Sequence, residues 1–229
     1  MNYLAHAISL LDRPYVAAGT AVPDWLSVVD RRVRLRRRHL KDAVDDADPV
    51  VADIARGVRL HLEEDAVFHG TEAFSQTLAD MTRLIRRTLD GATNGDGRLP
   101  AQFLAHLLTE VLLDAALVDR FPEKVEAYYR LLDSLDVIRL EAVVTDLAPR
   151  PPRGLGVFVS HFSRARILWD YLEDAKLLSR MNQVMGRIGL PKLATEFQGV
   201  FPEARSLVAD RARTLLEGTR AAEILDNGR

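Results

Sequence analysis

VADIARGVRLHLEEDAVFHG (51–70) is the stretch whose reading decides the fold. Ile54, Val58, Leu62 and Val67 recur at roughly helical intervals, with no competing period-two alternation. Asp48 is placed to cap this helix, and Pro49 suits its first position. Working outward, TEAFSQTLADMTRLIRRTLDG forms a second helix from Thr71 to Gly91. DGATNGDGRLP (90–100) is a loop, dense in Gly, Asn and Asp. Pro100 opens AQFLAHLLTEVLLDAALVDRF, apolar enough to be largely buried, and Pro122 opens PEKVEAYYRLLDSLDVIRLEAVVTDL. APRPPRG (148–154) is a stiff break. Helical stretches follow at 155–189 and 191–224, joined at Pro191, and the terminal LDNGR is expected to fray. The expectation is an all-α, single bundle of about seven or eight helices. Residues 1–147 form a core around a metal site, and residues 148–229 pack on the same domain.

Composition narrows the chemistry. The chain has 229 residues and a net charge of −2, so charge alone points to neither nucleic acid nor an anionic membrane. It has no cysteine, which excludes thiolate ligands, thiol nucleophiles and disulfides. Any metal must therefore sit among nitrogen and oxygen donors. The start, MNYLAHAISLLDRPYVAAG, lacks the basic and long apolar regions of a secretory signal. No apolar run reads as long and charge-free enough to span a bilayer, so a cytoplasmic location is the default. GATNGDG lacks the Lys-Ser/Thr of a phosphate loop, and no serine elbow is visible.

Five of the six histidines lie in the first 106 residues. His61, Asp65 and His69 are spaced four and four, which puts all three on one helical face. His106, Glu110 and Asp114 repeat the spacing within FLAHLLTEVLLDAAL, where no Lys or Arg stands between Phe103 and Val118. A buried carboxylate without a partner costs several kcal/mol or gives up its charge. A metal, or an ion pair, removes that penalty. Either triplet alone can be an ordinary polar stripe facing water; two on two helices favour a shared pocket.

His6 lies in the apolar NYLAHAISL, and Asp24 follows Pro23 as a candidate N-cap that can also reach a metal. DRRVRLRRRHL (30–40) reads as a solvated, arginine-rich helix face ending in His39. It also offers a basic patch, with Arg36, Arg37 and Arg38 the candidates for holding a phosphate or an acidic partner. His161, beyond the proline-rich break, reads as structural.

MNYLAH, GTAVPDW (19–25) and GVRLHLEEDAVFH (57–69) together resemble the acyl-carrier-protein phosphodiesterase family, among the HD-type metal-dependent phosphohydrolases. That resemblance implies His6, Asp24, His61 and Asp65 as metal ligands and acyl carrier protein as the partner. The chain departs from that family at Leu62 and at Phe68-His69-Gly70. FLAHLLTEVLLD is similar to the last ligand helix of zinc-dependent phospholipase C and the P1-type nucleases. That second likeness implies a cluster of His6, Asp24, His61, Asp65, His69, His106 and Glu110. Those enzymes use a processed N-terminus as a ligand; without a secretory signal, this N-terminus is not expected at the site.

The combined expectation is a metal-dependent hydrolase of phosphodiester bonds carrying two divalent ions, manganese, iron or zinc. In such enzymes the ions lie ~3.5–4 Å apart. Asp65 or Glu110 would bridge them or take a proton. Two alternatives are a non-enzymatic helical module that binds an acidic partner through Arg31–Arg38, and another metal chemistry such as an oxygenase.

Overall fold

A computed structural model describes residues 1–91 and 100–227, with thirteen α-helices and no strand among them. Short α1 (Tyr3–Ala7) leads into α2 (Pro14–Val29) and α3 (Arg37–Leu40). Long helices α4 (Pro49–Gly70) and α5 (Glu72–Gly91) follow, then α6 (Ala101–Arg120), α7 (Pro122–Asp133) and α8 (Val137–Leu147). The remainder holds α9 (Leu155–Ala165), α10 (Ile167–Asp170), α11 (Asp174–Arg187), α12 (Phe201–Leu215) and α13 (Arg220–Asn227). Most of the loop expected at 90–100 and the end of the fraying tail lie outside the described residues.

The class is all-α as expected, but the helices outnumber the seven or eight predicted. Some, such as α1, α3 and α10, are too short to show a period. Others are pieces of longer predicted runs. The 122–147 stretch breaks because Asp136 accepts hydrogen bonds from Ile138 N (3.1 Å) and Arg139 N (2.9 Å), starting a new helix. The 155–189 stretch breaks first at Arg166, which takes a left-handed conformation at φ 49°.

Helix α4 starts as its sequence predicts: the Asp48 carboxylate accepts from Val50 N at 2.8 Å, with Pro49 next. Its buried stripe differs from the predicted one. Ile54 and Val58 are buried, but Leu62 is half-buried and Val67 is exposed. His61, Glu64 and Phe68 complete the inner face instead. His61 and Glu64 are therefore on the side that the fold hides, with Asp65 and His69 half-buried at its edge.

Two corrections concern the N-terminal third. Asp24 is not an N-cap. Helix α2 runs from Pro14 straight through Pro23, placing Asp24 in its interior. A proline inside a helix forfeits one backbone hydrogen bond, and burial of Val16–Val22, Trp25 and Leu26 along this helix offsets the loss. The arginine run is a helix face only at its end, where Arg37 and Arg38 lie in the short α3. Residues 31–36 are non-helical, with Val33 and Leu35 buried and Arg31, Arg32, Arg34 and Arg36 exposed.

The closest helix crossing positions the site. At Gly57 of α4, an added Cβ would lie 2.1 Å from Val16 O and 2.8 Å from Gly19 Cα of α2. At Gly19 it would lie 2.5 Å from Ile54 O. Backbone meets backbone here, so His61 comes within reach of α2. Gly57→Ala is expected to lose about 3 kcal/mol by overpacking, lowering Tm by about 6–12 °C. Gly70→Ala, with nothing within 4 Å of the new methyl, should leave the melting curve almost unmoved.

Helix α6 crosses the middle of the fold, packing on α1, α5, α7, α10 and α12. By length and composition it is apolar enough to cross a membrane, where the sequence reading expected no such segment. In this fold 67% of the apolar window is buried against other helices.

Candidate metal centre

Three helices bring the motif residues together. The first group is His6 from α1 with His61 and Asp65 from α4; the second is His69 from α4 with His106 and Glu110 from α6. Within each group, one ligand atom per residue lies within 4.8 Å of the others.

In the first group the His6 and His61 rings lie 4.2 Å apart, centroid to centroid. His6 Nδ1 is 3.3 Å from Glu64 Oε2, while its Nε2 stands 3.8 Å from Asp65 Oδ1, too far for a hydrogen bond. His6 Nε2 and His61 Nδ1 are both buried without a hydrogen-bond partner among the described residues. Such orphaned nitrogens are costly in a core and rare unless something binds them. Burial, and then the charge on His6, push the His61 pKa well below that of a free imidazole, keeping its lone pair available. Burial also opposes charge on His6, but Asp65 and Glu64 outweigh it and the His6 pKa rises.

In the second group, Glu110 Oε1 lies 3.0 Å from His69 Nε2 and 3.1 Å from His106 Nε2, and the two nitrogens are 3.2 Å apart. Asp65 links the groups. Its Oδ1 faces His6, and its Oδ2 lies 3.5 Å from His69 Nδ1. Burial disfavours charge on Asp65 and Glu110. The imidazoles and the Met1 amine overcome this and hold both carboxyls far below the usual range.

Contrary to expectation, the N-terminal amine is at the site. Met1 N donates to Asp65 Oδ1 at 2.7 Å and to Glu110 Oε1 at 3.2 Å, so one cation touches a carboxylate of each group. Burial works against that cation, and the two acids more than compensate, raising its pKa.

Asp24 belongs to neither group. Its Oδ2 is buried without a partner among the described residues, and burial pushes its pKa up to about 7 despite the nearby His6 and Met1 charges. Asp114, in register with His106 and Glu110, does different work. Fully buried, it accepts from Leu4 N at 3.0 Å and Ala5 N at 2.9 Å, pinning the first turn of α1 and with it His6. Burial lifts its pKa to about 6, against the pull of those two N–H groups. His39 lies apart, bonded to Arg36 N and Arg38 Nε.

Sequence reasoning missed Glu64, which orients His6 and is itself held by Arg220 N (3.1 Å) and Arg220 Nη1 (3.3 Å) at the start of α13. A carboxylate behind a ligand histidine fixes its tautomer. The available signal was Glu64 itself, three residues after His61 and so on the same face.

Two spaces meet at Glu110. One is a cavity of about 390 Å³ walled by α2, α6, α9 and α11; the other is a groove of about 680 Å³ bordered by Asp30, Arg31, Arg34, His106 and Arg187. Arg31, Arg34 and Arg187 make no ion pair among the described residues. Arg36, Arg37 and Arg38, the expected phosphate ligands, line neither space, because the buried Leu35 separates them along the chain from Arg31 and Arg34, which border the groove instead. His161, read as structural, is exposed on the cavity wall. Comparisons of the chain with protein-family models, with curated proteins and with solved structures find no match.

Proposed function

We propose that this chain is a metal-dependent hydrolase of phosphoester bonds, holding one divalent ion at His6, His61 and Asp65 and another at His69, His106 and Glu110. One observation carries the reading: two three-residue imidazole and carboxylate groups are joined through Asp65, and the second borders a groove with arginines that make no ion pair among the described residues. The donors fit the ions. Two buried imidazole nitrogens lack partners among the described residues, and a nitrogen and oxygen set without sulfur suits manganese, iron or zinc. Bound there, the ions would supply Lewis acidity toward water and phosphate. The motifs shared with the acyl-carrier-protein phosphodiesterases, and the helix shared with the phospholipase C group, support the same class of reaction.

The chain's own groups divide the remaining work. Arg31, Arg34 and Arg187 bind phosphate oxygens through charge-assisted hydrogen bonds. Asp65 and Glu110 act as ligands rather than as proton acceptors, since a pKa far below neutrality makes a weak base. Asp24, which titrates near pH 7 on the cavity wall, is the group matched to proton transfer.

Asp24→Asn should therefore act in opposite directions on stability and rate. The folded pKa of Asp24 exceeds its unfolded value of 3.8, so its ionisation opposes folding. That cost is absent below about pH 4 and complete above about pH 7. The metal-free variant should match the native protein at pH 4 and exceed it by a few kcal/mol at pH 8 in urea melts. With manganese, kcat should fall about 100-fold or more.

The direct test is hydrolysis of bis(p-nitrophenyl) phosphate with manganese, then with chelator. Activity that disappears with the chelator and in His106→Ala supports the reading; no metal-dependent turnover refutes it. A second reading is favoured by the position of Arg36, Arg37 and Arg38, exposed outside both spaces. They suit docking of an acidic protein, such as an acyl carrier protein, and that binding would persist in His61→Ala.

A further inference from the structure

Beyond Glu110, Arg187 and Asp24, the wall of the cavity beside Glu110 has no part in the roles assigned above. Leu107 and Val111 of α6, Phe158 and Phe162 of α9, and Met181 and Val184 of α11 give it an apolar wall. Its volume, about 390 Å³, falls in the range of small-molecule pockets. Of its two arginines, Arg180 is neutralised by Asp170 at 2.6 Å. Arg187, without an ion pair among the described residues, lines both the cavity and the groove, as do Glu110 and Leu107. A ligand lying across this junction meets cations and carboxylate-bearing groups at one end and hydrocarbon at the other.

We infer that the substrate is a small amphiphilic phosphoester, its phosphate at the Glu110–Arg187 junction and an apolar alcohol seated in the cavity between α6, α9 and α11. The inference rests on the hydrolase reading above and adds the substrate's chemical class. In the reaction, water oxygen forms a new bond to phosphorus, the P–O bond to the second ester group breaks, that group leaves, the seated alkyl ester stays on phosphorus, and one water proton passes by way of Asp24 to the departing oxygen or to solvent. Burial of each further methylene is worth up to about fourfold in affinity, until the cavity is full.

The test uses the manganese-loaded protein with methyl, butyl and hexyl p-nitrophenyl phosphodiesters, below micellar concentrations. The expected result is a kcat/KM that climbs at least tenfold from methyl to hexyl. In Ala165→Trp, which fills the cavity from a position that does not border the groove, the methyl ester should react at the native rate and the gain with length should vanish. Phe158→Trp, also on the cavity wall alone, is the second filling variant should the first fail to fold. Calorimetric binding of hexyl phosphate against methyl phosphate gives a readout independent of turnover. Equal rates for all three esters overturn the inference and leave the hydrolase reading standing. If no ester is hydrolysed yet hexyl phosphate binds at least tenfold tighter than methyl phosphate, the hydrolase reading falls and the apolar seat stands. Equal binding without turnover refutes both.

Discussion

His61→Ala protein should retain one divalent ion per chain where the native protein binds two, and His106→Ala should do the same at the other group. His61 and His106 sit on different helices and serve different groups, separated by the shared carboxylate of Asp65. Removing one imidazole from a three-residue group leaves two donors, too few to compete with a chelator. In the second group the loss also exposes the Glu110 charge, which His106 and His69 now help to hold. Elemental analysis after dialysis should read about one equivalent for each variant and near zero for the double variant. Phosphodiesterase activity should fall at least 1,000-fold in all three, because a two-ion mechanism needs both charges on the phosphate. Two equivalents retained in either single variant would mean that the residue is no ligand.

The second large effect is on stability and reaches the site indirectly. Asp114→Ala deletes a fully buried carboxyl and abandons the amides of Leu4 and Ala5. Each buried N–H left unpaired costs about 1–3 kcal/mol. The expected loss is therefore about 2–5 kcal/mol, or about 5–15 °C in Tm for a chain of this size. Helix α1 has five residues and too few internal hydrogen bonds to persist alone. Its displacement should move His6 and cost the first ion, while the second ion, held by α4 and α6, remains. Asp114→Asn, which keeps one acceptor oxygen, should lose about half as much. An unchanged Tm in Asp114→Ala would contradict the anchoring role.

The parts of this site that were legible are those set by spacing within one helix. His61, Asp65 and His69 share a face of α4 because four residues nearly complete a turn, and His106 and Glu110 share one on α6 for the same reason. The same arithmetic misled at Asp114, since a pattern of fours cannot separate a metal ligand from a carboxylate that caps another helix. Asp24 was misread as a helix start because Pro-Asp has that local preference, and only the packing of α2 on α4 lets the helix continue through Pro23. The buried stripe of α4 was partly hidden because His61 and Glu64 occupy inner positions that a search for apolar residues passes over. Arg187 and Arg220 were invisible for another reason: they reach the site only through the way α11 and α13 fold back, which no local pattern encodes.

Anomalous diffraction from crystals soaked in manganese or zinc tests the central claim most directly. Two peaks are expected in each chain, one in bonding contact with His6, His61 and Asp65, the other with His69, His106 and Glu110. Peaks located elsewhere, or none at either group at saturating metal, would contradict it.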